Sequence, residues 1–198
     1  MGEIQCQTMH VRRLVLVKHS LPKIVPEVPR REWQLSQEGI ARCTLLAAEL
    51  RPYGPARIVA SPEPKAHRTA VAVANALGGP GVRTFRGLRE HDDMDVRFQS
   101  EPLFRAAVAA FFARPSEAVF GPETADEAYA RFDATVAEAV QPDDGRSVVV
   151  VAHGRVISLF VARNNDLDPY VLWARLGLPS FVVLGLTDYR IEKIVDRV

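Results

Sequence analysis

The chain alternates between two kinds of hydrophobic pattern, and the alternation predicts its elements. Residues 13–18, RLVLVK, form an unbroken apolar run with a β-branched bias, the pattern of a strand buried on both faces. A proline-spotted stretch, 21–33, follows and reads as a loop. From Ser36, which can cap, apolar residues recur at helical spacing until Pro52 and Gly54 stop them. RIVAS (57–61) is a second strand, and SPEPKAHRTAVAVANALGG (61–79) a second helix with prolines in its first turn and glycines past its end. A short strand is expected at 82–85, and 86–100 is polar and aperiodic, a loop. LFRAAVAAFFA (103–113) is an amphipathic helix, and Thr124 with Glu127 spells a capping box for a helix running to about Val140. SVVVVAH (147–153) is the strongest strand, with a helix expected after Gly154. Two more strands, 180–187 and 190–197, are joined by a tight turn at Asp188.

Strands alternating with helices imply an α/β fold: a three-layer α/β/α sandwich around a mainly parallel sheet. No repeat, low-complexity tract or linker divides the chain, so residues 1–198 are expected to form one domain, with 86–122 as a candidate lid. The net charge of +1 gives no electrostatic support for nucleic acid as a partner, and no apolar run approaches the roughly 18 residues that span a membrane. The start, MGEIQCQTMH, lacks an apolar signal core, and Cys6 and Cys43 are too few for a disulfide framework or a zinc site. These features lead to the expectation of a cytoplasmic protein, its oligomeric state left open with a homodimer as one option.

Open α/β sheets bind ligands beyond the carboxyl ends of their strands. There the first strand delivers Lys18, His19 and Ser20, the second Ser61 and then Lys65, the third Glu90 and His91, and the strong strand His153 and Gly154. Taken singly, a histidine at a strand end is usually a structural hydrogen-bonder and a first-turn lysine is usually solvated. Together they form a cationic pocket with two imidazoles. No HExxH, CxxC, Walker or G-x-S-x-G motif is present. An imidazole among cations suits attack on a phosphoryl group, with a carboxyl to protonate the leaving oxygen.

The sequence also resembles the histidine phosphatase superfamily, the phosphoglycerate-mutase-like fold. KHS after an apolar strand is similar to the family's R-H-G, LSQEG to its L-T-x-x-G, and SPEPKAHRTA to its S-x-x-x-R-A-x-Q-T-A. LRE at 88–90 resembles the L-x-E of the proton donor, Glu123 with Arg131 resembles an E-S-x(n)-R helix, and VVVVAHG resembles the second-histidine motif. The resemblance implies that His19 is the nucleophile, that His153 stabilises the transferring phosphoryl group and that Glu90 is the general acid with a raised pKa. Lys18 and Lys65 would stand where the family has two phosphate-clamping arginines. It implies no metal or cofactor, and a small phosphorylated substrate.

Three positions depart from the family pattern: Lys18 and Lys65 for arginine, and Ser20 for glycine. Charge is kept but the planar, bidentate fork is not. The Ser20 hydroxyl either donates to a ligand oxygen, narrows the pocket or satisfies local backbone. The chain has 21 arginines and only four lysines, yet two of the four fall on these clamp positions, so they read as a matched pair. Arg68 and Arg155 could return a guanidinium to the pocket, although a surface position is the expectation for both. The activities to weigh are a metal-independent phosphatase of small phosphomonoesters, a catalytically weak relative that binds a phosphorylated ligand, and a phosphoglycerate-type mutase. The mutase is disfavoured because KHSLPKIV lacks the R-H-G-E-S/T pattern with its asparagine three residues beyond. Arg86, Arg89 and Arg97 edge the candidate lid, where they could attract an acidic substrate; solvated charges are the default.

Overall fold

The computed structural model describes residues 12–54, 56–79, 81–93, 100–141 and 144–198. Cys6, Arg97 and part of the candidate lid therefore lie outside the described residues. The strands are β1 (Arg13–Lys18), β2 (Ala56–Ala60), β3 (Arg83–Thr84), β4 (Ser147–Ala152), β5 (Ser180–Gly185) and β6 (Ile191–Val195). The helices are α1 (Gln37–Leu50), α2 (Pro64–Ala76), α3 (Glu101–Ala113), α4 (Ala125–Val140), α5 (Gly154–Asn165) and α6 (Pro169–Arg175).

The sheet runs in the order β3-β2-β4-β1-β5-β6. Its first four strands are parallel, and β5 and β6 are antiparallel to their neighbours. The continuous apolar runs serve two cores at once, because successive side chains leave a strand on opposite faces. Leu14, Leu16, Val148 and Val150 enter the core beneath α3, α4, α5 and α6. Val15, Val17, Val149 and Val151 enter the other, beneath α1 and α2. Fully burying each such side chain is worth about 1.5–3 kcal/mol. The result is the three-layer sandwich the pattern implied.

The helix starts are those the sequence marks. Ser36 Oγ accepts from the Gly39 amide, and Thr124 and Glu127 form the reciprocal capping box. One helix is absent from the hydrophobic pattern: α6 spans only seven residues, too short for periodicity to register. Its signal was local, Asp168 capping the Tyr170 and Val171 amides with Pro169 in the first turn. The candidate lid contains the helix the sequence predicts over 103–113. Within it α3 buries Val108, Phe111 and Phe112 in the first core, and Phe120 joins them.

Strand register decides what meets at the carboxyl edge. Lys18 pairs with Ala152 across β1 and β4, so His19 and His153 emerge side by side. The His19 amide donates to Ala152 O, and the Ser61 amide to Val151 O. The chain leaving β1 is then held by α1. Its first-turn Gly39 lies so close that a Cβ there would sit 2.1 Å from Leu21 O. No side chain fits that position without moving backbone.

Candidate active site

A cavity of about 460 Å³ opens at this edge, lined by Lys18, His19, Glu63, Lys65, Glu90 and His153 among others. His19 is 7% exposed, and its ring stands 5.2 Å from that of His153, edge to face. His19 Nδ1 is 2.8 Å from Ser20 O. A carbonyl can only accept, so Nδ1 carries the proton and Nε2 keeps its lone pair. Burial first, then the neighbouring His153 and Lys65, pushes His19 well below the ordinary histidine range. The imidazole is neutral, which is the form that attacks.

His153 occupies the N-cap position of α5. Its Nε2 lies 2.8 Å from Ser61 Oγ, and its buried Nδ1 has no hydrogen-bond partner among the described residues. Burial, reinforced by Lys65, lowers its pKa well below the ordinary value. A second neutral imidazole thus stands beside the first.

The two lysines both line the cavity, and both spend their ammonium protons on protein groups. Lys18 Nζ donates to Leu176 O at 2.6 Å. Lys65 Nζ donates to Arg30 O at 2.9 Å and to Glu63 Oε2 at 2.6 Å. Burial lowers Lys18 from 10.5 to about 8, with Glu90 opposing the shift. A lysine lowered this way loses its charge as pH rises through about 8; an arginine would not. Sulfate keeps its own charge over that range and isolates the effect. Its affinity is expected to fall about tenfold between pH 7 and 9 and to stay flat in Lys18→Arg. Titration calorimetry at the two pH values checks this; equal slopes for parent and variant would remove Lys18 from the anion site.

Ser20 does not belong to the phosphate-binding set the sequence suggested. It is fully buried, its Oγ donates to Gly39 O at 2.8 Å, and its amide donates to Thr69 Oγ1. The hydroxyl fastens the loop after β1 to α1. Of the three readings open for Ser20, local backbone satisfaction is the one the geometry shows.

Glu90 is in the site but in the opposite state to the raised pKa expected of it. Its Oε2 accepts from the Arg155 amide at 3.1 Å, and its Oε1 from the Val156 amide at 3.2 Å and the His91 amide at 3.0 Å. The carboxylate caps α5, taking over the exposed amides that the His153 side chain does not cap. Burial alone would raise Glu90, but Arg155, His153 and the amides outweigh it and the net shift is downward. The group is held ionised. His91, delivered beside it, is buried against Phe111 with Nε2 2.9 Å from Glu123 O. Burial lowers it to about 4, so it is a neutral structural residue.

Several residues of the site were either expected on the surface or not singled out by the sequence. Arg155, expected on the surface, is 4% exposed, with both terminal nitrogens on Asp93 Oδ2 at 3.1 and 3.0 Å. Arg30 reaches the same oxygen at 3.5 Å and lies over the Phe104 ring. Both line the cavity, so guanidinium does enter it, from positions other than the clamp positions. Arg68 stays exposed, as expected. Glu63 is the other addition: it links Lys65, the Glu90 amide (2.7 Å) and His153 Nε2 (3.5 Å). Its signal was its place between Ser61 and Lys65 in a segment already assigned to the pocket.

The Glu90 loop is itself held from behind. Arg131 grips Glu123 at 2.8 and 2.7 Å and donates to the carbonyls of Gly87, Arg89 and Glu90. The sequence resemblance pointed to this pair without giving it a task. No group of three or more His, Cys, Asp or Glu side chains among the described residues is spaced to hold a metal ion. No helix among them is long and apolar enough to cross a membrane.

Comparison with known proteins bears on this geometry. Residues 23–195 match the family described as Histidine phosphatase superfamily (branch 1); the match begins just past His19. The chain is similar to the solved structure of a mycobacterial glucosyl-3-phosphoglycerate phosphatase, with 26% identity, a TM-score of 0.72 and coverage of 94% of this chain and 99% of that one. The complex of that phosphatase with inorganic phosphate is 27% identical, with a TM-score of 0.70, over 92% of this chain and 95% of the other. A variant of the phosphoserine phosphatase of Entamoeba histolytica, bound to phosphoserine, shares the fold. It has a TM-score of 0.71 at 14% identity, over 93% of this chain and 96% of the other. A search of curated proteins finds no match.

Proposed function

Because the chain belongs to the histidine phosphatase superfamily, branch 1, we propose that it is a metal-independent phosphatase of a small phosphomonoester, working through a phosphohistidine on His19. The observation that carries this reading is His19 itself: neutral, its Nδ1–H fixed on Ser20 O, set edge-on to a second neutral imidazole. Attack by Nε2 places the phosphoryl group among Lys18, Lys65 and His153. Positive charge and positioning are the main requirements of phosphoryl transfer. The lysines exchange their present partners, Leu176 O, Arg30 O and Glu63, for phosphoryl oxygens. Water then attacks the phosphohistidine, with the Glu90 carboxylate, held ionised, as its base. The similarity to a mycobacterial phosphatase supports hydrolysis of a phosphate ester and leaves this chain's substrate open.

The test is hydrolysis of phenyl phosphate in excess chelator. Steady release of phosphate, unchanged by the chelator, is expected. A chelator-dependent rate would overturn metal independence. One observation favours the second reading, a phosphate-ester binder with weak turnover: both clamp lysines are engaged inside the protein. Tight binding of phenyl phosphate without release of phosphate would select it.

A further inference from the structure

The phosphatase reading leaves a proton unaccounted for. The alcohol leaving a phosphate ester needs one, and Glu90, capping α5 as a carboxylate, does not carry it. Neither histidine does: His19 Nδ1–H lies on Ser20 O, and His153 Nε2 faces Ser61 Oγ. The arginines of the cavity cannot give one up. Two lysines remain, and they are held differently. Lys65 Nζ is 2.6 Å from the Glu63 carboxylate, and a carboxylate partner favours the charged form. Lys18 Nζ has a neutral partner, Leu176 O, and makes no second hydrogen bond among the described residues.

Strand alternation separates the two lysines as well. Lys18 follows Leu14 and Leu16 onto the face beneath α5 and α6, and His19 follows Val15 and Val17 onto the face of α2, the helix that brings Lys65. The stem of Lys18 runs beside the start of α5, where a Cβ on Gly154 would come within 3.1 Å of its Cε. Glu90 caps the same helix. The cavity thus has an α2 wall with His19 and Lys65, and an α5 wall with Lys18 and Glu90. In phosphoryl transfer the attacking and leaving atoms lie roughly in line through phosphorus. With His19 Nε2 attacking from the α2 wall, the ester oxygen departs toward the α5 wall.

We propose that Lys18 is the general acid of the reaction, its ammonium giving a proton to the ester oxygen as that oxygen leaves phosphorus. The proposal rests on the phosphatase reading and deepens it. It also gives the lysine a reason: an arginine in this place would hold the phosphate but not release a proton. Burial, opposed by Glu90 and aided by Arg105, Arg155 and Arg197, brings Lys18 to about 8, near the pH at which it would work.

The steps balance. His19 Nε2 gives its lone pair to phosphorus, a P–N bond forms, and the bond from phosphorus to the ester oxygen breaks. That oxygen takes a proton from Lys18, so a neutral alcohol leaves and a neutral amine stays. Water then attacks the phosphohistidine and gives its proton to the Glu90 carboxylate, and the P–N electron pair returns to Nε2. Glu90 passes the proton to the Lys18 amine, and both groups regain their charges.

The test compares esters whose leaving groups differ in their need for a proton. The phenolate of para-nitrophenyl phosphate leaves unaided; the alkoxide of ethyl phosphate does not. Lys18→Arg keeps the charge and removes the acid. It is expected to lower kcat/KM on ethyl phosphate at least about a hundredfold more than on para-nitrophenyl phosphate. Equal losses on the two esters, or a gain on ethyl phosphate, would overturn the proposal. Glu90→Gln is expected to lose about evenly across the pair; a loss confined to ethyl phosphate there, and absent from Lys18→Arg, would make Glu90 the acid instead.

The parent gives a second readout that needs no variant to fold. As pH rises through about 8 the acid is lost, and kcat/KM for ethyl phosphate should fall at least about tenfold further than for para-nitrophenyl phosphate. Parallel falls would sink the idea. Failure of the phosphatase reading looks different: no phosphohistidine is trapped from either ester, and the assignment of Lys18 goes with it.

Discussion

Replacing His19 with alanine is expected to lower hydrolysis of phenyl phosphate by at least about three orders of magnitude, or about 4 kcal/mol of transition-state stabilisation. Trapping of an acid-labile, alkali-stable phosphoprotein on rapid quench should disappear with it. The physical basis is narrow. In the pocket His19 Nε2 is the imidazole nitrogen whose lone pair is left free by an Nδ1–H tied to a carbonyl. His153 is the neighbouring imidazole, but its Nε2 is engaged by Ser61 and its Nδ1 is buried. It is not expected to substitute. Loss of His19 should barely touch stability, since its amide, not its ring, makes the bond to β4. A melting temperature near the parent's accompanies the expected result. Hydrolysis by His19→Ala at the parental rate would end the phosphohistidine mechanism.

The second large effect lies away from the imidazoles. Arg131→Met is expected to cost about 2–3 kcal/mol, below the 3–5 kcal/mol typical of breaking a buried pair because Arg89 still reaches Glu123 at 3.1 Å. For a chain of this size that lowers the melting temperature by about 5–10 °C. Glu123 is 10% exposed on its side chain, and its pKa is set by two opposed influences: burial would raise it, but Arg131 and the Asp92 amide hold it below the ordinary carboxylate range. A depressed carboxyl stabilises the fold above its unfolded pKa and loses that contribution as pH falls through the folded one. The gap between parent and variant should therefore be full at pH 7 and close under acid conditions. Activity measured well below the melting temperature should also drop, by about tenfold, because Arg131 fixes the carbonyls of Gly87, Arg89 and Glu90. The double variant Glu123→Gln with Arg131→Met should recover stability but not activity. Recovery of both would mean the pair serves stability alone.

Much of the fold was legible because its signals are local or strictly periodic. Two-sided burial of β1 and β4 shows as unbroken apolar runs, and the starts of α1 and α4 are spelled by Ser36 and by Thr124 with Glu127. The cavity residues Lys18, His19, Lys65, Glu90 and His153 were legible because strand ends project to one edge. What escaped depends on distance in the chain. The charge of Glu90 is set by burial on one side and by Arg155 and His153 on the other, roughly sixty positions away, which no pattern around residue 90 reveals. Arg30 sits in a proline-spotted loop with no periodicity to place it, and Arg155 is buried by Asp93, sixty-two positions away. Ser20 looked like a ligand group because its partner, Gly39 O, belongs to a different element.

The place of β1 in the sheet has a consequence for how the protein is made. Its strand neighbours among the described residues are β4 and β5, which leave the ribosome long after it. At about 5–20 residues per second, the roughly 130 residues between β1 and β4 take about 6–26 s to synthesise. For that time LVLV has no strand to pair with, while β2 and β3, its companions in the finished sheet, already have each other. The nascent chain therefore carries its stickiest segment bare, the condition under which chaperones engage and overexpressed chains aggregate. The same delay keeps His19 from meeting His153 until β4 has been made.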